Sequence, residues 1–99
     1  MTMRARTASA EELEAAYQRE LSTDRWAAAE SCYALAVLHR DSGDWATARD
    51  WVRQCRRLLD GFSSDHLEQV ATRRVSVGGV PLPGCLHDGV LRERFGAFD

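Results

Sequence analysis

The run Cys32-Tyr33-Ala34-Leu35-Ala36-Val37-Leu38 is apolar at every position. A helix drawn through it has no polar side to turn toward water, so it has to be covered from several directions. The punctuation on either side fixes its length. Ser22-Thr23-Asp24 is a cluster of N-capping residues, and Ser42-Gly43 offers a glycine that can take the left-handed conformation closing a helix. The spacing therefore predicts a helix over 25–41 as the centre of the fold.

The flanking segments supply the cover. Ser9 followed three residues later by Glu12 is a capping-box pattern, and Leu13, Ala16, Tyr17 and Leu21 recur at helical spacing, which predicts a first helix over 10–21. After Gly43-Asp44, a third helix places Trp45, Ala48, Val52, Cys55 and Leu59 on one face, with Trp51 and Leu58 on a second, narrower line. Two apolar lines need two neighbours. Gly61 is its natural stop, and Phe62 packed on Leu67 would open a short helix ending about Ala71. From Val75 to Leu82 apolar residues alternate around Gly78-Gly79, which suits either a two-residue hairpin with Pro81 on an edge or an extended loop plugging the helices with Val77, Val80 and Leu82. A last helix over 86–95 returns Leu86, Val90, Leu91 and Phe95 to the core. The expected fold is mainly all-α, a bundle of four or five helices. It forms one domain over 9–99 behind a mobile tail at 1–8.

Composition supports a single folding unit and limits its chemistry. Ninety-nine residues suit one core, and 44% hydrophobic with 28% charged residues are ordinary globular values. No apolar run reaches the roughly 18 residues needed to span a bilayer, and the first ten residues have no secretory apolar stretch, so a cytoplasmic location is expected. Three cysteines, Cys32, Cys55 and Cys85, are an odd number at wide spacing and read as free thiols. All thirteen basic residues are arginine, a bias expected of a GC-rich bacterial genome, and the lack of lysine removes Schiff-base and phosphate-loop lysine chemistry. The formal net charge of −2 gives no strong overall field for nucleic acid or membrane, although residues 49–74 are mildly basic.

Between Ala29 and Phe62, Leu35-Ala36 on one helix, Gly43-Asp44-Trp45 at the turn and Ala48 on the next resemble one tetratricopeptide repeat, a family built from units of about 34 residues in paired antiparallel helices. The likeness covers about a third of the chain. Cys32, Cys55 and Asp60 depart from the family's usual large aromatic, small alanine and closing proline. No second copy is visible, whereas such repeats ordinarily stack about three or more together. What the resemblance implies is a protein-interaction surface and no chemistry.

Three residue sets are candidates for function. The row Arg49, Arg53, Arg56, Arg57, extended by Arg73 and Arg74, could contact phosphates as a nucleic-acid-binding regulator would, or could be a solvated face paired with acids. Cys85-Leu86-His87-Asp88 holds nucleophile and ligand types for a small enzyme or metal protein, but without zinc spacing or a third orienting group. No catalytic, cofactor-binding or metal-ligating set is therefore expected, and nucleic acid is the lesser expectation. Of the tryptophans, Trp26 and Trp45 are expected inside the hairpin, whereas Trp51, off the main stripe, either anchors an interface, where aromatic residues concentrate binding energy, or packs within the chain. The reading that follows is a small interaction or regulatory domain that self-associates, with another protein as the other possible partner. Trp51, Leu58, Arg53, Val77, Val80 and Leu82 are its expected interface.

Overall fold

A computed structural model describes residues 8–63, 65 and 71–98. Among them the elements run α1 (Ala10–Leu21), α2 (Arg25–Asp41), α3 (Trp45–Leu59), β1 (Ser76–Val77), β2 (Val80–Pro81) and α4 (Asp88–Phe95), so the protein is mainly helical with a small antiparallel sheet. The short helix expected from Phe62 to Ala71 falls largely outside the described residues, as does residue 1–7 of the expected tail. Ala8, the last residue of that tail, is tied down, its backbone N–H donating to the Gly78 carbonyl at 2.7 Å.

Each of the first three helices begins at the side-chain cap that the sequence offers. Ser9, Asp24 and Asp44 accept from the backbone N–H of Glu12, Ala27 and Thr47 respectively, each satisfying a donor that the helix cannot pair internally. α2 closes on Gly43 at φ +87°, with the Gly43 N–H on the Arg40 carbonyl and the Asp44 N–H on the His39 carbonyl, both 2.9 Å. This bond pair is the Schellman closure, and it reverses the chain within three residues. Arg25 at the start of α2 donates to the Leu58 carbonyl near the end of α3, so the two helices run side by side in opposite directions.

α2 is buried continuously from Ala28 to Val37, and its covers come from every other element. α3 lies along it. α1 and the β-hairpin pack on it, and Phe95 of α4 meets the Tyr33 ring edge-on at 5.7 Å. Ala36 and Ala48 are both fully buried, and small residues of this kind let helix backbones come close. The core also takes in Leu13, Tyr17, Val52, Cys55, Leu59, Leu86, Leu91 and Phe98. Phe62 packs edge-on against Trp26 at 5.1 Å.

The segment at 75–82 is a hairpin. Gly78 and Gly79 sit at φ +57° and +84°, the pair of positive values that a two-residue hairpin turn matching strand twist requires. A side chain at position 78 would meet Ala8 and Leu13 at 2.8 Å, so space as well as conformation demands glycine there. Val77 faces Val80, Ser76 faces Pro81, and the Leu82 N–H reaches the Val75 carbonyl at 2.9 Å. Antiparallel bonding alternates, which places Pro81 where no ladder donor is needed. Val77 and Val80 point inward and Val75 is 89% exposed.

Candidate functional site

The densest polar cluster lies where α1 and α2 meet the segment leading into the hairpin. Glu30, in the second turn of α2, is completely buried. Its Oε2 accepts from the backbone N–H groups of Arg73 and Arg74 at 2.8 and 3.3 Å, and its Oε1 accepts from Arg74 Nε at 3.0 Å. The remaining Arg74 donors reach Glu20 Oε2 at 3.2 Å, the Ala27 carbonyl at 2.5 Å and Ser31 Oγ at 3.3 Å, while Ser31 Oγ donates to Glu20 Oε1 at 2.5 Å. Arg73 pairs with Asp24. Burial disfavours the ionised Asp24 carboxyl, but the Ala27 N–H and Arg73 outweigh it and hold it below the usual carboxylate range. Thr72 binds residues 83 and 84, through its hydroxyl to the Pro83 carbonyl and its N–H to the Gly84 carbonyl. The result is a strap, residues 72–74, fastened to α2 on one side and to the chain beyond the hairpin on the other. All three carboxylates, Glu20, Asp24 and Glu30, are engaged by a guanidinium, an arrangement that fixes position.

Sequence reasoning passed over this cluster. Its signal was one carboxylate, Glu30, in a stretch otherwise made of Ala, Ser and Cys. A lone charge on an apolar helix requires a partner, but Arg74 lies 44 residues away and nothing local points to it.

The arginine row does not stay together. Arg73 and Arg74 belong to the strap, whereas four arginines project from α3. Arg49 stacks over the Trp45 ring at 5.6 Å. Arg53 donates to the Phe98 carbonyl and to Asp50 Oδ1 at 2.7 Å. Arg56 pairs with Asp88 at 3.0 Å, and Asp88 also takes Arg92 at 2.8 Å. Arg57 is exposed and makes no ion pair among the described residues.

The stretch Cys85-Leu86-His87-Asp88 starts a helix. His87 Nδ1 accepts from the N–H groups of Gly89 and Val90, capping α4, and Leu86 is core. No group of three His, Cys, Asp or Glu residues that could hold a metal ion is found among the described residues. Cys32 and Cys55 are fully buried, and burial pushes both thiols far above their ordinary range, with Cys55 adding to the effect on Cys32. The thiolate is the reactive form, so these two are inert packing residues.

The expected interface residues fall into different places. Leu58, Val77 and Val80 are buried within the single chain, and Leu82 packs partly against the same core. Trp51 is half-buried with its ring edge-on to Tyr17 of α1 at 5.3 Å. Arg53 remains at the surface. Trp45, expected inside the hairpin, is instead 43% exposed. It is the first residue of α3, and side chains there lean back toward the helix start, past the end of α2.

No helix among the described residues is long and apolar enough to cross a membrane. Comparison with protein-family models, with curated proteins and with solved structures finds no match to this chain.

Proposed function

We propose that this chain is a small cytoplasmic interaction or regulatory domain that works by pairing with a second copy of itself along the outer side of α3. The observation that carries the reading is Trp45, a large ring 43% exposed at the head of α3 with the Arg49 guanidinium stacked on it. Tryptophan and arginine are the residues in which interface binding energy concentrates. The surface Arg53, four residues beyond Arg49, continues the same side of α3, whereas the half-buried Trp51 lies round the helix against Tyr17. In this reading the helices form a small bundle whose α2–α3 pair is a tetratricopeptide-like hairpin present once. A lone hairpin of that kind leaves a flank that further repeats would otherwise cover, and twofold pairing is the commonest closed way to cover it.

Further support comes from how the other candidate groups are occupied. His87 caps a helix, Glu20 and Glu30 hold Arg74, and Asp88 bridges two arginines, so each already has a structural task. Sedimentation velocity over a range of concentrations tests the proposal. The parent chain is expected to run as a dimer, and Trp45→Ala as a monomer with an unchanged circular dichroism spectrum and melting temperature. A parent chain that stays monomeric throughout refutes self-pairing.

A further inference from the structure

Arg53, Arg56 and Arg57 sit within one turn of α3, and with Asp60 and Phe98 they line an open cavity of about 200 Å³. We propose that this cavity is a binding site for a small phosphorylated ligand, with the phosphoryl group held between the guanidiniums of Arg53 and Arg57.

Three features support it. The first is donor capacity. Arg53 spends its Nε on the Phe98 carbonyl and its Nη1 on Asp50, which leaves Nη2. Arg57 has no ion-pair partner among the described residues, so its whole fork is available. Guanidinium forks match the oxygens of a phosphoryl group and bind it bidentately. A monocarboxylate is satisfied by a single fork, whereas a tetrahedral dianion uses donors from two.

The second feature is charge. Three guanidiniums line the cavity against the Asp60 carboxylate; with the acids paired to them, Asp50 and Asp88, and with Arg92 on Asp88, the four guanidiniums and three carboxylates leave one net positive charge. This outweighs the negative end of the α3 dipole, which is equivalent to roughly half a charge.

The third is shape. The bond from Arg53 to the Phe98 carbonyl draws the chain after α4 against α3 and walls the cavity, while Arg73 and Arg74 are committed to the strap. A nucleic-acid backbone is followed by an extended basic stripe. A concavity of this size, below the roughly 300 Å³ at which pockets for larger ligands begin, suits one small anionic group.

The test is titration calorimetry of the full chain with pyrophosphate, at constant ionic strength balanced with chloride. A 15-base-pair duplex is titrated in parallel. The proposal predicts saturable 1:1 pyrophosphate binding, weakened about tenfold or more by Arg57→Gln, which removes charge-assisted bonds. Arg57 lies on the surface, so the variant keeps the parent's melting temperature. Asp60→Asn removes the one negative group in the lining and is expected to tighten binding severalfold. Absence of saturation overturns the proposal, as does binding that Arg57→Gln leaves unchanged. Saturable duplex binding without pyrophosphate binding overturns it in favour of backbone contacts along the helix.

Discussion

Glu30 and Arg74 set the energetic stakes at the level of single side chains. A buried carboxylate is tolerable only while its partners are present, and removing one member of such a pair typically costs about 3 kcal/mol because the other charge is stranded. Arg74→Ala is therefore expected to lower the free energy of unfolding by about that amount in urea melts, whereas Arg57→Ala should change it by less than about 0.5 kcal/mol. Equal effects from the two would show that the cluster contributes nothing special. The buried thiols act in the opposite pH direction from a carboxylate. Their folded-state values lie above the ordinary 9.0, so above pH 9 the folded chain holds protons that the unfolded chain releases. Stability is thus undiminished below about pH 8.5 and falls as pH rises past 9. Replacing Cys55 with Ala should shallow that fall, measured as the slope of unfolding free energy between pH 9 and 10.

Among the elements, the hairpin is where conformation is most narrowly specified. Gly78→Ala combines φ +57° with contacts at 2.8 Å, and the left-handed conformation alone costs an L-residue about 1–2 kcal/mol. Thermal melts should show that loss or more, while Gly84→Ala, with nothing within 4 Å of the added carbon, should be near neutral. Helix boundaries were legible in the sequence because local chemistry decides them. α1 and α2 span the intervals read from Ser9, Asp24 and Gly43. α4 starts two residues later than its apolar spacing suggested, because the imidazole of His87 caps it. Whether 75–82 was a hairpin or a loop could not be read, since Gly78-Gly79 permits both. The choice rests on burial of Val77 and Val80 beneath distant helices. Trp45 was misplaced for a related reason: periodicity assigns a face, but only the end of the neighbouring helix decides whether that face is covered.

At the scale of the whole molecule, the chain is longer than broad, 48 × 27 × 23 Å. α2 is its centre, with α1, α3, the hairpin and α4 packed on it. The candidate site was legible only in part. The α3 arginines were visible as a row, but their division into paired and unpaired members depends on Asp88 and the Phe98 carbonyl, which the fold brings from far along the chain. The burial of Glu30 also bears on how such a chain can change over generations. Duplicating the α2–α3 hairpin would carry a carboxylate into the new copy without the arginine that neutralises it, since Arg74 comes after the duplicated segment. The hairpin is therefore not a transplantable unit. Growth into a longer array would require either copying the strap along with it or first replacing Glu30 by an uncharged residue.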